Sequence, residues 1–264
     1  MCIVVDYNTT HLTYARARGG LALDSVAVQT KATQPSLVTG VRGTRTTIAL
    51  KLLMATSGIV FILFVLAHMY GNLKAFAGHE AFNDYAHHLR EIGEPILPYG
   101  GALWILRTVL LVSLVAHVTS AIVLWRRRAR ARPVAYVVKR NVGSSFSSRT
   151  MRWGGLTLLL FIIWHLLNFT VPKINVTGGP IDDPYVLLVE SFQTWWLTVI
   201  YLVAMVALGL HLHHGTWSSL QTLGWTGSAG ARRRAKVAGW VVAIVIAGGF
   251  SLVPLAVLFG IVSV

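Results

Sequence analysis

The stretch LFVLAHMYGNLK (63–74) places a histidine, His68, near the polar end of a long apolar run. That run begins near Ile48 and continues to Tyr70, so it can cross a bilayer, which takes about 20 residues of helix. An ionisable side chain inside a membrane is costly and usually serves a function. We therefore expect His68 to have a partner elsewhere in the chain.

The composition indicates an integral membrane protein. The chain has 264 residues, of which 55% are hydrophobic and 12% are charged, and soluble domains usually carry about twice that charged fraction. We predict an all-α membrane bundle with five transmembrane helices. The five apolar segments are Ile48–Tyr70, Ala102–Trp125, Trp153–Val171, Trp195–Trp217 and Val237–Val262.

Residues 1–45 differ from the membrane domain, which we place at residues 46–264. They are polar and rich in Thr and Gly, and they lack the apolar core and small-residue cleavage site of a signal peptide. We predict a peripheral cytoplasmic arm. Cys2 is the sole cysteine, which excludes an intrachain disulfide, a Cys-ligated iron–sulfur cluster and covalent haem attachment.

The net charge of +14 is distributed in a way that favours membrane topology over nucleic-acid binding. Lys and Arg are concentrated before the first apolar segment, between the second and third, and between the fourth and fifth. The positive-inside rule then places the N-terminus and these two connections in the cytoplasm, and the C-terminus outside the cell membrane. The run RRRARAR (126–132) is typical of a topology signal, and docking of a cytoplasmic partner is compatible with it.

One histidine recurs in each of the first four segments. His68, His117, His165 and His211 follow one another at intervals of 49, 48 and 46 residues. A single membrane histidine is easily explained by a hydrogen bond to a neighbouring helix. Four of them in the same order as four helices favour a shared function.

Depth in the membrane pairs these histidines. His68 and His165 fall in the outer leaflet, and His117 and His211 fall in the inner leaflet, because alternate helices run in opposite directions. The two levels lie roughly 10–20 Å apart at a rise of about 1.5 Å per residue. Two imidazoles at each level of a four-helix core are what two non-covalent, bis-histidine b-type haems require. We predict these four side chains as the iron ligands.

The ligand on the fourth segment is ambiguous from spacing alone, because HLHHG (211–215) contains three histidines. His211 and His214 share a helical face, and His213 points elsewhere. A zinc site in this cluster is an alternative, but it would leave His117 without a partner. The remaining histidines near the second segment, His79, His87 and His88, are predicted to be solvated or interfacial, with contact to a haem propionate or a quinone as the less favoured alternative.

Several motifs, in this order and spacing, resemble one known family. The chain is similar to the single-chain, five-helix, di-haem cytochrome b anchors of succinate dehydrogenases and fumarate reductases over roughly residues 44–262. In that family the ligand of the fourth helix lies four residues before a glycine, a place that His211 and Gly215 match. The motifs are RTTIALKLLMATSG (45–58), HMYGNL (68–73), FNDYAHHLREIGEPILPYGGALWILR (82–107) and HLHHGTWSSLQTLGW (211–225).

The resemblance implies a role within a larger complex. Such anchors hold an FAD-bearing, dicarboxylate-oxidising subunit and an iron–sulfur subunit on the cytoplasmic face, and their haems link that pair to menaquinone. Succinate oxidation would take place in the partner subunits. The whole complex is a candidate for assembly into a homo-oligomer. Some members carry an acid two residues before the fourth-helix ligand. Here that place is Gly209, so we expect no proton path there.

A quinone site is predicted in the connection before the second segment. Quinone chemistry needs proton donors beside an apolar slot near a haem, and the resemblance favours the same region. We expect Glu91 or Glu94 to handle protons, with Tyr85 and His88 beside the quinone and Arg90 nearby; a solvated amphipathic turn is the alternative. Arg107 lies two turns into the second segment, where a propionate of the outer haem is the expected counter-ion.

Other functions remain open from the sequence. The same parts serve a fumarate reductase, and a cytochrome b of another dehydrogenase, such as a formate or hydrogen enzyme, would use similar ligands. The cytochrome of the quinol–cytochrome c complex places two histidines about four turns apart on each of two helices, which no segment here does. A transporter with a histidine proton relay is the alternative outside redox chemistry, and it predicts no Soret band.

Overall fold

The computed structural model describes residues 46–131, 146–170 and 182–264. These ranges contain helices and no strand. The predicted arm at residues 1–45 lies outside them. The helices are α1 (Thr47–Leu73), α2 (His79–Glu91), α3 (Gly101–Arg130), α4 (Phe146–Phe169), α5 (Pro184–Gln193), α6 (Trp195–Thr222) and α7 (Ala229–Leu258), with a 3-10 turn at Lys74–Ala77 after α1.

Five of the described helices, α1, α3, α4, α6 and α7, are long and apolar enough to cross a membrane. The predicted all-α bundle is confirmed, and the chain is a multi-pass helical membrane protein by the length and composition of these helices. Some helices extend past the apolar runs that predicted them. Helix α3 continues to Arg130 and α7 begins at Ala229, because Arg, Lys and Ala are strong helix formers outside the apolar core as well.

Helix α6 is the centre of the packing. It packs against α1, α4 and α7, while α1 also packs against α3 and α7. Small residues allow the close approach of α6 and α7. A Cβ atom on Gly209 would lie 3.4 Å from the Ala247 Cβ, and one on Gly239 would lie 2.7 Å from the His213 carbonyl oxygen. An acid at position 209 would therefore meet α7, which gives a packing reason for glycine there.

Two short helices that the sequence analysis did not predict, α2 and α5, lie in the connections at the end of the bundle that the charge distribution assigns to the outside. Helix α5 buries most of its residues against α6 and α7. Its start has a clear local cause. Asp183 Oδ1 accepts hydrogen bonds from the backbone N–H groups of Tyr185, at 2.9 Å, and Val186, at 3.0 Å, and Pro184 occupies the first turn, where its missing N–H costs nothing.

A polar contact joins α2 to the start of α5. His79 Nε2 lies 2.7 Å from Asp183 Oδ2, to which Asn83 Nδ2 also donates at 2.9 Å. Burial raises the pKa of Asp183, but hydrogen bonds from Val186, Asn83 and His79 outweigh it and lower the pKa below its usual value. This stabilisation is present at neutral pH and is lost as pH falls through the lowered pKa. The His79 side chain is half exposed, as an interfacial side chain is, and its partner is the Asp183 carboxylate.

We predict that Gly239→Ala destabilises the bundle, because the new methyl group would press on a backbone carbonyl of α6 that has no freedom to turn away. The expected loss is about 1–3 kcal/mol of unfolding free energy. The matched control is Gly248→Ala on the same helix, where a Cβ meets nothing within 4 Å. Reversible unfolding in detergent micelles, followed by circular dichroism, measures both. Equal stability of the two variants would contradict the packing described here.

Candidate functional site

His68 on α1 and His165 on α4 face each other near the outer ends of their helices. Their ring centroids are 5.8 Å apart, with the ring planes at 80°. Aromatic side chains surround them. Phe64 stacks on His68 at 5.3 Å, Phe250 of α7 lies 5.7 Å from the same ring, and Phe161 lies 5.8 Å from His165. The surroundings of this outer pair are therefore largely apolar.

His117 on α3 and His211 on α6 form the inner pair. Their ring centroids are 6.2 Å apart, with the planes at 53°, and the edge of Phe61 approaches His117 at 6.3 Å. The structure thus brings together the same two pairs that helix direction and depth predict. The role of these side chains as iron ligands remains a prediction.

The spacing within each pair suits one metal between two imidazoles. Metal bonds to imidazole nitrogen are about 2 Å long, so two rings on opposite sides of one metal have centroids roughly 6 Å apart. Neutral imidazoles without a carboxylate are also the donor set of bis-histidine haem iron. On spacing and on donor chemistry, both pairs fit a haem.

The Nδ1 atoms of three of the four candidates have different surroundings, and two of them have hydrogen-bond partners. His117 Nδ1 lies 3.1 Å from the Met54 carbonyl oxygen and 3.2 Å from Ser57 Oγ. His165 Nδ1 lies 3.2 Å from the Tyr201 hydroxyl. His211 Nδ1 is buried and has no hydrogen-bond partner within the described residues. Because a carbonyl can only accept, His117 carries its proton on Nδ1 and leaves Nε2 for a metal.

Two glycines make room for the inner rings. A Cβ on Gly58 of α1 would lie 3.4 Å from His117 Cε1, and one on Gly155 of α4 would lie 3.7 Å from His211 Cε1. His68 follows Gly58 by ten residues, and His165 follows Gly155 by ten residues. Ten residues of helix rise by about 15 Å, which is the separation between the inner and outer levels.

These spacings belong to a repeat that the sequence analysis missed. Helices α1 and α4 share the pattern Gly-x5-Phe-x3-His, as Gly58, Phe64 and His68 in one and Gly155, Phe161 and His165 in the other. In both copies the glycine contacts an inner imidazole and the phenylalanine packs on the outer one. The signal is visible in the sequence once the two helices are aligned on their histidines.

The two helices that carry each pair do not lie side by side. Helices α1 and α4 do not pack closely along their lengths, and neither do α3 and α6, within the residues that the structure describes. The histidine rings join helices across these separations instead.

The structure separates the three histidines of HLHHG. His211 faces His117, whereas His213 turns to the other side of α6. The His213 ring packs on Trp240 of α7 at 4.2 Å, and its Nδ1 lies 2.9 Å from Ser147 Oγ of α4. His214 is partly buried on α6. Of the three candidates, the geometry therefore favours His211 as the partner of His117.

In the predicted quinone region, Tyr85 contacts α1 near the outer pair. Its ring packs against Gly71, where a Cβ would come within 2.7 Å of Tyr85 Cε1, and it meets Tyr70 edge to face at 6.2 Å. Gly71 is one turn beyond His68. The Tyr85 hydroxyl thus contacts α1 at a residue about 5 Å along the helix axis from His68.

The two predicted acids lie farther out. Glu91 ends α2, with its carboxylate 3.3 Å from His87 Nδ1 and 3.9 Å from His88 Nδ1, and all three side chains are exposed. Glu94 follows in the exposed connection to α3. The structure therefore groups Glu91 with His88 but not with Tyr85, and the catalytic role of either acid remains a prediction.

Charged residues near the membrane boundaries pair with tryptophan. Arg107 is exposed, and its guanidinium lies 5.0 Å from the centre of the Trp104 ring. The sequence analysis did not predict this aromatic partner, and the contact of Arg107 with a haem propionate remains a prediction. At the opposite end, Arg152 lies over Trp125 at 5.6 Å and Lys236 over Trp217 at 5.5 Å. Such cation–aromatic pairs suit a membrane interface.

The described residues form a helical membrane protein with five helices long and apolar enough to cross a membrane and two pairs of facing histidines at two levels. Comparison with family models, with curated proteins and with solved structures finds no match to this chain. The functional proposal therefore depends on the site geometry and on the sequence resemblance described above.

We predict that His117→Ala removes one of two b-type haems and leaves the other, because His211 would lose the imidazole that faces it. Haem per chain, measured by pyridine haemochrome absorbance against protein concentration, should fall from two to one. His213→Ala is the matched control, since it removes a histidine from the neighbouring stretch of α6 that does not face His117. Retention of both haems in His117→Ala would show that the inner ligands are assigned wrongly.

Proposed function

We propose that the chain is the di-haem cytochrome b anchor of a succinate:menaquinone oxidoreductase. In this role it carries electrons between a cytoplasmic FAD and iron–sulfur subunit pair and quinone in the membrane. The observation that carries the proposal is the presence of two facing imidazole pairs, one near each end of a helical bundle. The resemblance of the sequence motifs supplies the identity of the complex.

The residues of each pair would hold one haem b. His68 and His165 would bind the outer haem, and His117 and His211 the inner one. Each haem, when bound, supplies a one-electron carrier. The protein contributes the orientation of the rings: the Met54 carbonyl sets the tautomer of His117, and phenylalanine rings pack against His68 and His165.

The separation of the two levels, about 15 Å along α1 and α4, supports a role in electron transfer across the membrane. Two carriers at these depths span much of a hydrocarbon core of about 30 Å. A proton relay would instead need polar groups between the levels. Along α1 the residues from Ile59 to Ala67 are all apolar, which favours electron carriers over a relay.

Tyr85 is the proton donor that the geometry favours for a quinone beside the outer haem. Its hydroxyl lies at the Gly71 turn of α1, next to the level of His68. Glu91, held between His87 and His88 at the exposed end of α2, would exchange protons with outside water. Quinone chemistry needs a proton donor next to the quinone ring and a path for protons from solvent. Tyr85 would be the donor, and Glu91 would lie on the path.

The inner end carries the features expected for partner docking. Three basic residues lie at or near the inner ends of their helices, on the side that the positive-inside rule assigns to the cytoplasm. They are Arg126 on α3, Arg152 on α4 and Lys236 on α7. A cytoplasmic subunit pair docked here would lie on the side of His117 and His211. A fumarate reductase would use the same haem ligands and the same docking surface, so the proposed anchor role applies to either direction of turnover.

Purification of the affinity-tagged chain from its own membranes tests this proposal. We expect a flavin-containing subunit and an iron–sulfur subunit to copurify, and succinate to reduce haem that dithionite also reduces. An untagged strain serves as the control for the copurifying subunits. Reduction by formate or hydrogen in place of succinate would identify the other dehydrogenase class. The proposal would be refuted if the chain contains haem but copurifies with no such subunits, and if its haem exchanges electrons with neither succinate nor fumarate.

A further inference from the structure

Among the described residues, the Nδ1 atoms of His117, His165 and His211 have different surroundings, and the one beside a phenol is that of His165. The Tyr201 hydroxyl of α6 lies 3.2 Å from His165 Nδ1. Tyr201 is 6% exposed and belongs to the core cluster at the outer end of the bundle. By contrast, His117 meets a carbonyl and a serine, and His211 Nδ1 meets no partner in the described part of the chain.

We propose that Tyr201 is the positioning residue of His165 and that its hydroxyl lowers the reduction potential of the outer haem. This inference rests on the proposed function, because it needs haem iron bound by His165. It assigns to one side chain of α6 a difference between the two haem sites. The inner site has no phenol in the corresponding place among the described residues.

The chemistry follows from the tautomer of the ligand. An imidazole that binds iron through Nε2 keeps its proton on Nδ1 and donates it to whatever acceptor lies there. The Tyr201 oxygen is that acceptor. A hydrogen bond at Nδ1 raises the basicity of the ligand and favours ferric over ferrous iron. Removal of the acceptor should therefore raise the reduction potential.

The surroundings hold Tyr201 in place. Its ring packs edge to face against Phe161 at 4.8 Å and Phe192 at 4.9 Å, so the hydroxyl has little freedom to leave His165. Nearby, the buried Asn168 of α4 donates from Nδ2 to Ser191 Oγ of α5 at 3.5 Å.

Redox titration of the full-length protein in its membranes, comparing wild type with Tyr201→Phe, tests the proposal. The variant keeps the ring and its packing and removes only the hydroxyl. One hydrogen bond of ordinary strength corresponds to about a three- to tenfold change in the ferric-to-ferrous ratio at a fixed potential. That is roughly 30–60 mV for a one-electron couple. One haem should shift upward by this amount and the other should stay unchanged.

Tyr185→Phe is the matched control. Tyr185 is a buried tyrosine of the same core cluster, but its hydroxyl donates to the Ser263 carbonyl at 3.0 Å and not to a histidine. We expect its two potentials to match wild type. The shifted haem is identified as the outer one if it remains in His117→Ala and shifts there as well when Tyr201→Phe is added.

The possible results are distinguishable. Wild-type protein without haem would overturn the proposed function itself. Two haems in all proteins, with superimposable titrations for wild type and Tyr201→Phe, would overturn only the role of Tyr201. Loss of one haem from Tyr201→Phe, with both kept in Tyr185→Phe, would support the positioning role. Equal loss or an equal shift in the two variants would show that the Tyr201 hydroxyl has no special relation to His165.

Discussion

Burial of imidazoles between membrane helices is the constraint on which the rest of the structure depends. A polar ring in hydrocarbon is costly unless it is partnered. The four imidazoles face each other across the bundle in two pairs, His68 with His165 and His117 with His211, at 5.8 Å and 6.2 Å between ring centroids. Pairing of α1 with α4 and of α3 with α6 fixes the order of four helices around a common interior. Helix α7 then packs against α6 and α1 through glycines and completes the bundle.

The membrane helices were predictable because length and apolarity leave few alternatives for a segment of about 20 residues. The ends of the helices were less predictable. Helix α3, for example, continues through Arg126–Arg130 because these residues have high helix propensity, and not because they are buried. Helix α5 was missed because ten residues are too few to span. Its start was nonetheless visible as Asp183–Pro184, an N-cap acid followed by a proline in the first turn.

The pairing of the histidines was predictable from helix direction, since residues at one depth on antiparallel helices must meet. Spacing alone did not decide among His211, His213 and His214, and the family resemblance supplied His211. The choice depends on the rotation of α6, which the contacts of His213 with Trp240 and Ser147 reveal. Tyr201 was hidden for a similar reason. Its partner lies 36 residues away on another helix, and one tyrosine within an apolar run carries no periodic signal. The Gly-x5-Phe-x3-His repeat, in contrast, needed only an alignment of α1 with α4.

The central claim is that each imidazole pair binds one haem, and a count of haem per chain tests it most directly. Protein purified from its own membranes should show a reduced-minus-oxidised spectrum of b type and contain two haems per chain. Electron paramagnetic resonance of the oxidised protein should show two low-spin ferric signals, as bis-imidazole ligation requires. A colourless protein, or a single haem per chain, would contradict the claim.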